Sequence, residues 1–225
     1  MMEDKIQEMK YIRLNDVIVR SGRYIMTRLV FETKRMQVAD LGEESSVPDL
    51  FGELTTQNSL VFDLDEDDEI YEGYGKVKSA FPYRQLNGYT RELHEKDVKT
   101  AVLENEYLKA VFLTEYGGRL WELWDKKTKK NLLYTNDVLR FSNLAIRNAW
   151  FSGGVEWNLG IIGHNPLTTD PLYVAQTQTD EGDPVLRMYE YERIRGVIWQ
   201  MDFWLEEKCP YLNCRMRIVN DSDQV

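Results

Sequence analysis

The 225-residue chain is poor in the residues that staple or ligate. It has two cysteines, Cys209 and Cys214, and two histidines, His94 and His164. So few cysteines exclude a disulfide scaffold and a four-thiolate zinc site, and so few histidines exclude a three-histidine metal site within this chain. No metal and no cofactor are expected. Positive charge is also scarce: 28 Lys and Arg stand against 38 Asp and Glu, for a formal net charge of −10. That sign suits neither phosphate backbones nor anionic lipid, so nucleic acid and membrane are not expected partners. No segment approaches the roughly 18 consecutive apolar residues of a membrane-spanning helix. Residues 1–10 are charged and lack the apolar centre of a secretory signal. Together these lead to an expectation of reduced thiols and a cytoplasmic location.

What is present is a globular composition. Apolar residues make up 43% and aromatics 12%, well above a disordered chain, and a chain this long buries roughly 70% of its unfolded surface without staples. Residues 24–32 are rich in β-branched and aromatic side chains, which suit a pleated surface. Strand-like runs recur at 101–103, 107–113, 119–124, 131–134, 189–193, 197–205 and 211–217, separated by polar or glycine-bearing turns such as Asn105-Glu106 and residues 125–130. In the last run Leu212, Cys214, Met216 and Ile218 fall on one face, and Asn213, Arg215 and Arg217 on the other. No long amphipathic helix interrupts the series. The expected fold is all-β, an antiparallel β-sandwich.

Residues 63–72 carry seven carboxylates and no base. Asp63, Asp65 and Asp67 alternate as in a calcium loop, but Asp68 stands where that loop needs glycine and Tyr74 where it needs glutamate. The run reads as a solvated acidic loop. The least ordinary stretch is 148–166. It sets Trp150, Trp157, Glu156, Asn158 and His164 among four glycines and a proline. Tryptophan faces stack on the C–H side of sugar rings, and Glu, Asn and His hydrogen-bond vicinal hydroxyls, the mixture a neutral polyol site needs. The alternative is a glycine-rich turn with core tryptophans and a surface Glu156.

The motifs Leu103-Glu104-Asn105-Glu106-Tyr107, Glu115-Tyr116-Gly117-Gly118-Arg119-Leu120, Trp150-Phe151-Ser152-Gly153-Gly154-Val155-Glu156-Trp157-Asn158 and His164-Asn165-Pro166 occur in an order that resembles the domain-of-unknown-function family 5107. That family is commonly fused to tetratricopeptide repeats in bacteria. Ala80-Phe81-Pro82-Tyr83 and residues 47–51 are similar to its aromatic–Pro–aromatic segment and its Pro-containing entry loop. The resemblance runs from about Val38 to Val225 and implies a galactose-mutarotase-like supersandwich that handles carbohydrate. It divides the chain into an N-terminal extension, 1–37, with a possible edge strand, and the N-terminal portion of a mutarotase-like sandwich, 38–225. Family members often carry paired histidines and a basic residue where this chain has Gly163-His164-Asn165-Pro166. They also continue past a strand like the last one here, and mutarotase-type enzymes place a catalytic glutamate late in the domain, so part of the active site is expected to be missing. A sheet cut there has an open edge, which makes a homo-oligomer the expected assembly.

The expected function is therefore a carbohydrate-handling domain, with a non-catalytic sugar-recognition or protein-assembly domain as the alternative. Glu156 is the candidate general base or hydroxyl-binding carboxylate, or else a cap on the glycine turn. His164 is the candidate general acid, since imidazole titrates near neutrality, or else a loop histidine. Arg119 would grip substrate at the edge of the cleft, or else pair with Glu122 or Asp125. Trp150, Trp157 and Asn158 complete the substrate-binding set. Asp180 and Asp183 with Glu156 are candidates for a glycosidase pair. His94, among charged neighbours, reads as a surface loop residue.

Overall fold

The computed structural model describes residues 27–48, 80–143, 146–159 and 164–221. The charged N-terminal start, the acidic run at 63–72, Gly160, Gly163 and residues 222–225 lie outside the described residues. Ten strands are described: β1 (Arg28–Ala39), β2 (Leu93–Glu104), β3 (Leu108–Leu113), β4 (Arg119–Asp125), β5 (Lys130–Asn131), β6 (Val138–Leu139), β7 (Tyr173–Gln178), β8 (Pro184–Glu192), β9 (Val197–Trp204) and β10 (Asn213–Asn220). They form a six-stranded sheet in the order β5-β4-β3-β2-β1-β6 and a four-stranded sheet in the order β10-β9-β8-β7. Every pairing is antiparallel except the short contact of β1 with β6. The fold is the all-β sandwich that the alternating runs imply. Among the described residues, no helix is long and apolar enough to cross a membrane.

Period two explains the first core. Ala101 and Leu103 of β2, Ala110 and Phe112 of β3 and Leu120 of β4 turn toward Leu186 and Met188 of β8 and Trp199, Met201 and Phe203 of β9. Phe112 and Phe203 meet at 4.8 Å between ring centroids; cutting either back to alanine costs about 3–5 kcal/mol. The opposite face of the six-stranded sheet carries a second core, where Met36, Val38, Val98, Leu113 and Trp121 pack with Tyr116, Phe141 and Phe151. A β-bulge reconciles the two. Phe112 pairs with Leu120 but Val111 with Glu122, so Trp121 is the extra residue. The shift lets Leu120 and Leu123 both serve the first core while Trp121 serves the second.

The strand expected at 24–32 runs unbroken over Arg28–Ala39, so the division at 37/38 falls inside β1. β1 also lies between β2 and β6 instead of at an edge. Cys209 and Cys214 are both free thiols.

Candidate functional site

The segment 148–159 bridges to Ser142 at Trp150 and to β4 at Val155, and threads between the two cores. Val155 N donates to Leu120 O at 2.9 Å, and Gly154 N donates to Tyr134 O at 2.8 Å. Gly154 has φ +67, and a Cβ there would sit 2.3 Å from Leu120 O, so only glycine permits this approach. Phe151 enters the second core, while Val155, Trp157 and Leu159 pack on the first. Residue 156 is left between them.

Beneath this loop lies Arg119, carried in by the Gly117-Gly118 turn, where both residues have φ +62. Its side chain is only 2% exposed. One terminal nitrogen donates to Phe151 O at 2.9 Å and Gly153 O at 3.1 Å, and the other to Thr168 Oγ1 at 3.0 Å. The guanidinium stacks on the Phe151 ring, 3.9 Å from its centroid. Neither Glu122 nor Asp125 is its partner. Glu122 pairs with Lys34 at 2.7 Å, and Asp125 caps the turn at Lys127 and Thr128. Burial pushes the Arg119 pKa down to about 10, with Glu156 opposing the shift, so the group stays charged at neutral pH.

Glu156 is the hub. Its Oε2 accepts from Trp150 Nε1 at 2.8 Å and lies 2.9 Å from His164 Nδ1, with Oε1 at 3.1 Å from the same nitrogen and Arg119 at 3.8 Å. Burial pushes this carboxyl up, but the hydrogen bonds from His164 and Trp150 and the charge of Arg119 outweigh it and hold the pKa below the usual range. An ionised carboxylate only accepts, so Nδ1 of His164 carries the proton and Nε2 is the ring nitrogen left for another partner. The Trp150 and His164 rings lie 5.7 Å apart.

The structure thus brings Arg119, Trp150, Glu156 and His164 into one contact cluster. Trp157 turns away: its Nε1 donates to Gly118 O at 2.9 Å and its ring packs 4.9 Å from Phe203. Asn158 is exposed, and its Oδ1 accepts from Asn165 N at 3.0 Å, which fixes the loop leading out of His164. Asp180 and Asp183 line a separate open cleft of about 590 Å³ with Trp204 and Glu206. His94 lies on β2, its imidazole 3.5 Å from Asp40. Among the described residues no group of three or more His, Cys, Asp or Glu is disposed to hold a metal ion.

Two anchors were not anticipated. Thr168 is the side-chain acceptor for Arg119. Arg147, 2% exposed, donates to Arg84 O at 2.9 Å and to Asp170 Oδ2 at 2.6 Å, and also pairs with Glu44. It ties Glu44 to Asp170 in the 164–171 segment. Burial pushes the Asp170 carboxyl up, against the pull of Arg147. Arg147 was marked only by its place next to apolar Ile146, and nothing in the sequence marked Thr168.

Residues 75–224 match the family described as Domain of unknown function (DUF5107). The chain belongs to that family. A solved structure of a TPR-domain containing protein from Parabacteroides distasonis ATCC 8503 shares the fold of this DUF5107 chain with a TM-score of 0.69. The two are 19% identical, and the match covers 90% of this chain but 31% of that one, so this chain spans under a third of that protein's length. At such identity the likeness is one of fold.

Proposed function

We propose that this DUF5107 domain recognises a neutral carbohydrate at the Trp150–Glu156–His164 cluster. The observation that carries the reading is the carboxylate clasped between an indole N–H and an imidazole N–H, with a buried guanidinium behind it. That arrangement fixes the His164 tautomer and leaves Nε2, on a side chain 30% exposed, to accept from, or when protonated donate to, a sugar hydroxyl. The Trp150 ring, half-buried beside it, supplies the apolar wall on which a pyranose face stacks. Glu156 then acts as a positioning residue for the imidazole.

The same dyad suits proton transfer. His164 would exchange a proton with a sugar oxygen while Glu156 steadies the imidazolium, as a mutarotase-like reaction requires. Recognition is favoured over glycoside cleavage by the carboxylate count. Two flanking carboxyl groups are needed for cleavage, and among the described residues Glu156 is the sole carboxylate bonded into the cluster.

NMR titration with glucose, galactose and their disaccharides at tens of millimolar tests the reading, with the Trp150 indole signal assigned through Trp150→Phe. That signal is expected to shift on saturation, and Glu156→Gln is expected to lose about 1.5–3 kcal/mol of binding. Equal affinity of wild type, Glu156→Gln and Trp150→Ala would place the sugar elsewhere. Polarimetry on wild type and His164→Gln separates turnover from recognition.

A further inference from the structure

A cavity of about 250 Å³ opens where the end of β1 and the first turns of β2 meet the segment 165–172. That segment is fastened to the β3–β4 connection. Gly117 N donates to Asp170 O at 2.7 Å, and Leu172 N donates to Thr114 O at 3.1 Å. Three groups on the cavity wall keep donor capacity in reserve. Lys96 Nζ donates to Tyr116 Oη at 3.0 Å and forms no salt bridge among the described residues. An ammonium only donates, so the phenol oxygen is the acceptor and its own proton is left over. Tyr116 is 5% exposed, with its ring held against Phe141 and Phe151. Thr169 is 3% exposed, and its Oγ1 is buried without a hydrogen-bond partner. Buried hydroxyls are almost always paired, so this one stands out.

We propose that this cavity binds a small monocarboxylate, seated on Lys96, Tyr116 and Thr169. The donors select an anionic acceptor, because an ammonium, a phenol and a hydroxyl converge and charge-assisted hydrogen bonds are the strong ones. Two carboxylates on the same wall limit its charge. Asp40 lies 3.5 Å from His94, and Glu115 accepts from Lys99 N at 2.9 Å, so neither closes on the ammonium. Burial pushes the Lys96 pKa down, but its bond to Tyr116 and the charges of Glu115 and Asp40 outweigh that and leave it raised. With two anions behind one cation, every further ligand charge is repelled, and a single charge fits better than a phosphate dianion. A hydroxyl on the ligand has Asp40 and Glu115 as acceptors, which makes lactate a suitable probe. Thr168 serves Arg119 while the next residue lines this cavity, so the two sites share a segment and no side chain. The proposal therefore stands apart from the sugar reading.

The test is an NMR titration of the whole 225-residue chain with sodium lactate, lactamide and inorganic phosphate at constant ionic strength. The Leu41 and Thr169 amides should shift saturably with lactate. Lactate should bind at least about tenfold more tightly than lactamide or phosphate, the size expected of one charge-assisted hydrogen bond. Lys96→Met should weaken lactate by about the same factor, and Lys96→Arg should keep part of the affinity. Tyr116→Phe keeps the ring in its core and should weaken lactate without unfolding the chain. Thr169→Val removes an unpaired buried hydroxyl, so it should hold or raise Tm while weakening lactate. Equal binding of lactate and lactamide, phosphate bound as tightly as lactate, or no saturable shift overturns the proposal. So does wild-type affinity in Lys96→Met.

Discussion

Replacing Arg119 with methionine isolates what holds the candidate site together. Methionine keeps the apolar stem, but removes the charge, the guanidinium stacked on the Phe151 ring and all three hydrogen bonds to Phe151 O, Gly153 O and Thr168 Oγ1. It also leaves Glu156, 12% exposed, without its cation. Removing one partner of a buried ionic arrangement costs about 3–5 kcal/mol. For a chain of this size each kcal/mol lowers Tm by about 2–4 °C, so the expected drop is roughly 6–20 °C. Glu156→Gln alone should cost less, about 1.5–3 kcal/mol, because Trp150 and His164 still find an amide oxygen. The double variant should then be about 1–3 kcal/mol more stable than the sum of the single losses implies, since each change removes part of what the other relied on. Urea unfolding followed by tryptophan fluorescence on the four proteins gives the cycle. A loss under about 1 kcal/mol for Arg119→Met, or strict additivity in the cycle, would refute the claim that the guanidinium anchors the loop and polarises Glu156.

Other outcomes follow from the same geometry. Gly154→Ala should destabilise by at least about 2 kcal/mol, since a left-handed backbone and a collision with Leu120 O combine. Gly182→Ala, at φ +94 but with nothing within 4 Å of the new Cβ, should cost clearly less in the same thermal melts. Burial raises the Asp202 carboxyl, but Arg187 and Arg215 outweigh it and leave its pKa lowered. A depressed folded-state pKa means stability that is present above the unfolded value and lost as pH falls through the folded one. Melting curves of Asp202→Asn should therefore be flatter than wild type below about pH 4, whatever their level at neutrality.

Much of the sandwich was legible because burial writes itself as alternation. The runs at 107–113, 119–124 and 197–205 coincide with β3, β4 and β9 to within a residue or so. Where strands were missed or shortened, side chains other than apolar ones hold them. β2 begins at Leu93 and passes through His94-Glu95-Lys96-Asp97, a stretch that reads as loop. There it pairs with β1 in a ribbon with mostly exposed side chains, and Arg35 reaches Glu95 and Asp97 across the ladder. β7, Tyr-Val-Ala-Gln-Thr-Gln, is an edge strand with little to bury, and so left no apolar signal. In the site, Trp150, Glu156 and His164 were legible as chemistry-bearing types crowded among glycines. The inward turn of Trp157 was not, because a tryptophan beside a glycine turn reads alike whether it faces Phe203 or solvent. Nor was Arg119's burial, since its acceptors are mostly main-chain carbonyls, which every sequence possesses.

That choice of acceptors sets how freely the site can diverge. Arg119 grips the carbonyls of Phe151 and Gly153, and Asn136 Nδ2 donates to the carbonyl of Ser152 between them. The curve of the rim is thus moulded through atoms that do not change when residue 152 changes. Ser152 itself is exposed. Substitutions there can redraw the chemistry offered to a ligand while the scaffold beneath keeps its shape. On the proposed reading, exposed positions such as Ser152 change the surface offered to a sugar and leave the two cores untouched.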